Sequence, residues 1–460
     1  FNEKVLVGLG CEVATTRRLD PAGVRTALTA LRRFKAVLDA VKPTEIFTVA
    51  TAAVREASDG PDFVRRLKTE AGMKVRVLSG DEEARYSALG VLAGQPDASG
   101  VVGDMGGSSL ELTLVDAGKP GAGITLPLGA FSLRGPGGFD LERARARTAK
   151  VLDGVRATFS AQTLYAVGGG WRNLALLQMQ LTDYPLEIVQ QYEINAEDAL
   201  TAARFISRQS KGSLERIEGV SKRRLDTIPY AAVVLEGLIE RLGLRRISIS
   251  AFGLREGLLL ESMPGRVRAL DPLVEGCIAL GARQGLSEDL GPALEAWLGP
   301  AFSTLTPIFP GREPILIAAA CRLADLGARL HPDHRADLVF EQALRAPIAG
   351  MTHAERGFVA VALFARHTAS SNPPEPRILS RILSGEAHAR ALALGAAMRL
   401  GCDLSGRSAD LLRRSALRIE DGAVVLTTDA RWADMLLGEQ TAKRAAQFAD
   451  RLEMGLKLGK

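Results

Sequence analysis

The stretch from residue 101 to 118, VVGDMGGSSLELTLVDAG, holds more chemistry than a strand pair needs. Asp104 and Glu111 are acceptor-only when ionised and suit a hard cation such as Mg²⁺. Between them, Gly106 and Gly107 can take positive φ and leave the backbone bare, so N–H groups can approach an anion closely. Ser108 and Ser109 add hydroxyl donors. An ordinary hairpin with a glycine bulge explains the glycines alone; the full set predicts a turn that holds a phosphate and a metal.

Three other stretches carry compatible chemistry. In SGDEEAR, residues 79–85, Ser79 and Glu82 have the spacing of a capping box, which gives Glu82 a local structural task. Glu83 lies about 100° further round the helix and has no such task. Its carboxylate is free to face a cleft and act as a general base on water. In VGGGWRNLA, residues 167–175, a strand delivers Gly168, Gly169 and Gly170 to a helix start, where N–H groups and the helix dipole collect anions. That stretch matches neither the P-loop nor the dinucleotide fingerprint. Arg55 in TAAVREA and Arg255 in FGLREG each follow a strand-to-helix turn, from which a guanidinium could grip phosphate bidentately.

The elements that position these residues follow from periodicity. EKVLVGL alternates like a strand, PAGVRTALTALRRFKAVLDAV is a helix with Pro21 in its first turn, and EIFTVA and KVRVL are short β-rich runs. The alternation of strand and helix continues to about residue 265 and predicts α/β layers. Beyond about residue 266 the pattern is helical. The exception is ALRIEDGAVVLTT, predicted as a strand pair turning at EDG, after which the chain reads as helix through GLKL.

The chain has 460 residues, 47% apolar and 24% charged, with a net charge of +5. That length implies two to four domains. Aromatic residues make up 5%, too few for the stacking platforms that bind single-stranded nucleic acid. Cys11, Cys277, Cys321 and Cys402 are far apart and form no C-x-x-C pair, which argues against a zinc ribbon and for a reducing compartment. No apolar run reaches the roughly 20 residues that span a bilayer. The chain starts at Phe1, almost inside a predicted strand and without a signal-peptide pattern.

Taken together, TVATAAVREA, VLSGDEEARYSALGV, VVGDMGGSSLELTLV, AVGGGWRNLA and SISAFGLREGLLLE resemble, in order, the exopolyphosphatase and guanosine-pentaphosphate phosphohydrolase family of the actin-like ATPase superfamily. The resemblance implies two ribonuclease-H-like domains around a cleft, at 1–84 and 85–265, and a mainly helical, degenerate HD-like domain at 266–460. It implies Glu83 as general base and phosphate contacts at Arg55, at 106–109, at 168–170 and at Arg255. It also places Mg²⁺ near Asp104 and Glu111. The family's turn reads D-x-G-G-G-S-T-E, whereas Ser108 and Leu110 stand here at the third glycine and the threonine. A serine forced to positive φ would reshape that loop.

The family's opening Asp-x-Gly-Ser-Asn-type hairpin has no counterpart before Val5, so a natural N-terminal segment is expected to be missing. In the C-terminal region Ala324 precedes Asp325 where the metal-dependent relatives carry His-Asp, so no metal centre is expected. His331 and His334, around Pro332, are expected to be exposed. The expected activity is Mg²⁺-dependent release of orthophosphate from the ends of inorganic polyphosphate. The alternatives are a guanosine pentaphosphate 5′-phosphohydrolase, a kinase of the same superfamily and a non-catalytic polyphosphate or nucleotide sensor. The basic SKRR at 221–224 could guide a polyanion. A cytoplasmic homodimer, with no specific nucleic acid and no membrane, completes the expectation.

Overall fold

The computed structural model of the chain describes residues 3–135, 137–216 and 225–459; the SKRR cluster lies outside them. Contacts divide the chain into two compact units, Phe1–Arg268 and Ala269–Lys460.

The first unit is built on a six-stranded sheet. Its strands are β3 (Gly100–Met105), β4 (Leu110–Asp116), β5 (Lys119–Leu126), β6 (Thr163–Val167), β7 (Glu193–Asn195) and β8 (Arg246–Ser250). Their order is β5-β4-β3-β6-β8-β7. β3, β4 and β5 form an antiparallel meander, β6 and β8 join it in parallel, and β7 closes the edge antiparallel to β8. Five of these strands give the 3-2-1-4-5 order of a ribonuclease-H-like domain. Trp171, Leu110, Leu112 and Leu164 fill the core on one face of the sheet. Ala88, Val91 and Leu92 of the Gly80–Gly94 helix cover Val102, Val115 and Val167 on the other.

N-terminal to this sheet lie two short parallel strands, β1 (Val49–Ala50) and β2 (Arg76–Val77). They are flanked by the Pro21–Val41, Ala52–Glu56 and Gly60–Glu70 helices. The Pro21–Val41 helix starts as its sequence dictates, with Asp20 accepting from Gly23 N–H and Pro21 in the first turn. Val13, Leu28, Phe63 and Leu67 form a small core beneath these helices. The strand expected at residues 3–9 does not form. Alternation suits a strand, but a strand also needs a ladder, and among the described residues β1 and β2 pair only with each other.

Residues 84 and 85 both lie inside the Gly80–Gly94 helix. That helix packs along its length on the Leu254–Ser262 helix and on β3, β4 and β5. An Arg85–Glu261 ion pair ties the two helices together.

The second unit is mainly helical, around the buried His353–His367 and Gly385–Ser405 helices. β9 (Ser415–Glu420) and β10 (Ala423–Thr428) form the expected hairpin, with Asp421 and Gly422 both at positive φ as a type I′ turn requires. The chain end departs from the expected helix. Glu453 takes a φ of 57°, the last helix stops at Arg451, and β11 (Gly455–Gly459) runs parallel to β10. No helix among the described residues is long and apolar enough to cross a membrane.

Candidate active site

Ser79 caps the Gly80–Gly94 helix in a complete capping box. Ser79 Oγ accepts from Glu82 N–H at 3.1 Å, and Glu82 Oε2 accepts from Ser79 N–H at 2.9 Å. This bond consumes Glu82 and leaves Glu83 on the inner face, where it is 5% exposed. Arg55 reaches Glu83 from the Ala52–Glu56 helix. Its Nη1 donates to the Glu83 carboxylate and, at 2.7 Å, to the carbonyl of Leu78. Arg55 is therefore the partner of a buried carboxylate here, and no longer a free guanidinium.

One helical turn beyond Glu83, Ser87 Oγ donates to Asp104 Oδ2 at 2.5 Å. Asp104 and Glu111 are register partners across β3 and β4, so their side chains emerge together on one face. Burial is the largest influence on all three acids and raises each of them. Glu83 is raised further by Asp104 and held down by Arg55. Asp104 is held down by Ser87 and Arg172. Glu111 is pushed up to about 8 by burial, by Asp104 and by Glu83, with Ser109 opposing. Its Oε1 is buried and accepts no hydrogen bond.

The turn between β3 and β4 is pinned from behind. Gly106 N–H donates to Ser109 O at 2.9 Å, Phe131 N–H to Gly107 O at 2.8 Å, and Gly129 N–H to Ser108 O at 3.2 Å. With those carbonyls occupied, the N–H groups of Gly107 and Ser108 have no acceptor among the described residues. None of Gly106, Gly107 or Ser108 takes positive φ. Ser108 therefore fits where the family places glycine. Gly107 is required for space, since a Cβ there would lie 2.8 Å from the Phe131 ring.

Gly168 does need its conformation. It caps the Gly169–Leu181 helix at a φ of 114° and packs against Met105 so closely that a Cβ would lie 2.5 Å from the Met105 carbonyl. The first-turn N–H groups of this helix are thereby set beside the β3–β4 turn.

A cavity of about 1060 Å³ lies against the two glycine turns. Gly106, Gly107, Gly169 and Gly170 line it, and so do Thr51 and Ala53 from the N-terminal region. Glu83, Asp104 and Glu111 are not among its lining residues; Glu83 reaches its wall only through a hydrogen bond with the backbone of Ala52, between the lining residues Thr51 and Ala53. Arg255 stands apart. It is exposed, its nearest acid is its neighbour Glu256 at 4.0 Å, and it does not line the cavity.

Four contributors were missed in the sequence. Ser87 follows Glu83 by four residues and so shares its helix face, a spacing that could have revealed it. Arg172, in the first turn after the glycines, lies close enough to Asp104 to stabilise its charge. Phe131 and Tyr230 line the cavity with no local motif to announce them.

Among the described residues no three His, Cys, Asp or Glu side chains are grouped to hold a metal ion. In the second unit, Asp325 faces Arg407 at 3.3 Å and Arg366 at 3.9 Å. These cations oppose a metal there. The His331 side chain is exposed.

Comparison with known proteins places this geometry in a family. Residues 1–266 match the Ppx/GppA phosphatase family, and residues 290–458 match the exopolyphosphatase C-terminal family. Exopolyphosphatase 1 of Mycobacterium leprae is 29% identical over 231 residues, covering 48% of this chain and 68% of that protein. Retrograde regulation protein 2 of Saccharomyces cerevisiae is 26% identical over 380 residues, covering 75% of this chain and 62% of that protein. The structure of an exopolyphosphatase from Cytophaga hutchinsonii aligns with a TM-score of 0.51 at 22% identity, over 56% of this chain and 88% of that one. An exopolyphosphatase-like structure aligns with the same TM-score and identity, over 56% of this chain and 87% of that one. Those likenesses establish the shared actin-like fold. As the family match covers more than half of its length, the chain belongs to the Ppx/GppA phosphatase family.

Proposed function

We propose that the chain releases orthophosphate from the end of inorganic polyphosphate, with Glu83 as the general base. One observation carries this reading: the buried carboxylate of Glu83, positioned by Arg55, stands with Asp104 and Glu111 next to the glycine turn between β3 and β4. The N–H groups of Gly107 and Ser108 and of the Gly169–Leu181 helix start take the oxygens of the terminal phosphoryl group. Arg55 opposes the rise that burial imposes on the Glu83 pKa. Glu83 accepts a proton from water, and the water oxygen bonds to the terminal phosphorus. The bridging P–O bond then breaks, with its electron pair on the shortened chain.

Magnesium fits the residues present. Asp104 and Glu111 are hard-oxygen donors, Glu111 Oε1 lacks a partner, and Mg²⁺ is commonly held by one or two carboxylates plus substrate phosphates. These two acids would hold the ion, which when bound supplies neutralisation of phosphoryl charge.

Two alternatives have support of their own. Phe131 and Tyr230 in the cavity wall offer aromatic surface that a guanosine nucleotide could use. The Arg55–Glu83 pair, together with a relative named as a regulation protein, suits a non-catalytic sensor. The test compares phosphate release from long-chain polyphosphate and from guanosine pentaphosphate, with Mg²⁺, by the wild-type chain and by Glu83→Gln. Release from polyphosphate that depends on Glu83 is the expected result. Preference for the nucleotide would favour the first alternative. Tight binding of either compound with no release would favour the second and overturn hydrolysis.

A further inference from the structure

On β5, Thr125 carries a hydroxyl that has no part in the site described so far. Its Oγ1 is buried and makes no hydrogen bond among the described residues. Thr125 is the register partner of Glu111, and Glu111 is the register partner of Asp104. Register partners on antiparallel strands point to the same face, with Cβ atoms about 4.5–5.5 Å apart. Asp104, Glu111 and Thr125 therefore form one row across β3, β4 and β5.

The Gly80–Gly94 helix lies over that row. Toward one end, Ser87 donates to Asp104. At the other, Gly80 meets Thr125: a Cβ on Gly80 would stand 2.6 Å from Thr125 Oγ1. Gly80 takes no positive φ, so glycine is there for space, and the space admits a hydroxyl. Arg55 Nη2 lies 3.9 Å from the same point. It reaches Glu56 only at 4.0 Å, beyond hydrogen-bond range, so it can serve a further acceptor.

Glu111 has the complementary need. Ser109 hydrogen-bonds its carboxylate, yet Oε1 is buried with no partner. Two orphaned polar atoms thus belong to facing residues of adjacent strands. Buried polar atoms without partners are rare, because each forfeits its hydration. The general preference of strands for branched side chains explains a threonine at this position. It does not explain a hydroxyl buried beside a neighbour's open acceptor, under a helix start that leaves room for it.

We propose that Thr125 is a positioning residue for Glu111. Its hydroxyl donates to Glu111 Oε1, directly or through one water molecule, and fixes the direction of that carboxylate. A hydroxyl has one hydrogen and two lone pairs, so Oγ1 can accept from Arg55 Nη2 at the same time. Glu83 and Glu111 are then held by one network, since Arg55 Nη1 serves Glu83. Thr125 acts through Glu111 and does not touch the substrate.

The kinetic consequence rests on the hydrolase reading; the contact itself does not. Thr125→Val replaces the hydroxyl by a methyl group of similar shape, and Thr125→Ser keeps it. Crystal structures of the wild type and both variants, at a resolution that shows waters, test the contact. In the wild type and in Thr125→Ser the hydroxyl should lie within about 3.2 Å of Glu111 Oε1 or share one water with it. In Thr125→Val the carboxylate should turn. A wild-type hydroxyl bonded elsewhere, or a Glu111 carboxylate that keeps one orientation in all three proteins, overturns the proposal.

Phosphate release from polyphosphate tests the consequence. Thr125→Val should lower kcat about tenfold with KM within about twofold, and Thr125→Ser should keep most of the wild-type rate. An unchanged kcat in Thr125→Val overturns the positioning role, and so does an equal loss in both variants, which would mark Thr125 as a packing residue. A wild type that releases no phosphate defeats the hydrolase reading instead, and the crystal structures then decide the contact by themselves.

Discussion

Arg55 and Glu83 meet from two different helices, and the same guanidinium nitrogen that serves Glu83 also holds the Leu78 carbonyl at the mouth of the second helix. The pair therefore fixes the position of the carboxylate as well as its charge. Removing the cation leaves burial and Asp104 to act on Glu83, and both raise its pKa. In Arg55→Gln the pH at which phosphate release reaches half its maximum should move upward. The Arg55 side chain is 25% exposed, which limits the accompanying loss of stability to about 1–3 kcal/mol. A pH–rate profile beside a urea titration measures both. A rate profile that stayed in place would show that Arg55 does not tune Glu83.

Glu83→Gln keeps the shape of the side chain and removes its basicity. Loss of a positioned general base costs ~10²–10⁴-fold in rate. The prediction is a fall of that size in kcat for polyphosphate, with KM within about twofold, because the backbone donors that hold phosphate are untouched. Steady-state phosphate release measures it. A kcat near the wild-type value would move the base elsewhere.

Much of this site was legible because its parts are local. The capping box at Ser79 and Glu82 is a four-residue pattern that forms as its sequence dictates, and it leaves Glu83 outside the cap. Asp104 and Glu111 flank a tight turn, so pairing β3 with β4 aligned them automatically. What stayed hidden depends on distant partners. Ser87 has a role only because Asp104 lies opposite, and Arg172 only because Gly168 packs on Met105. The alternation at residues 3–9 was real, but a strand requires a neighbour that local sequence does not supply. Arg255 looked like a phosphate ligand by its position after a turn, yet the direction of a side chain is set by packing, and its side chain points to solvent.

The β3–β4 turn offers a steric test. Gly107 does not need unusual φ, so alanine is excluded only by the Phe131 ring, 2.8 Å from where Cβ would stand. Gly107→Ala should displace the turn and its two free N–H groups. We predict a KM for polyphosphate at least about tenfold higher, the equivalent of losing one or two charge-assisted hydrogen bonds. Trimming the ring should restore part of this, so Gly107→Ala with Phe131→Ala should bind more tightly than Gly107→Ala alone. Steady-state kinetics of both variants measure the difference. If the double variant is no better than the single one, contact with Phe131 is not the reason for glycine.

His367 gives the helical unit a defined response to acid. Its ring is buried, its Nε2 lies 2.9 Å from the Leu326 carbonyl, and burial together with Arg366 lowers its pKa from 6.5 to about 3. Between those two values the unfolded chain binds a proton that the fold refuses. Stability is therefore fully present above about pH 6.5 and is lost as pH falls toward 3, by up to roughly 1.4 kcal/mol per pH unit from this group. Hydrogen exchange of the His353–His367 helix, followed by mass spectrometry from pH 7 to pH 5 and corrected for intrinsic rates, should show protection falling with pH. His367→Gln can still donate to Leu326 but cannot take up a proton, so its protection should be flatter across the same range. Parallel losses in the two proteins would assign the acid response to another group.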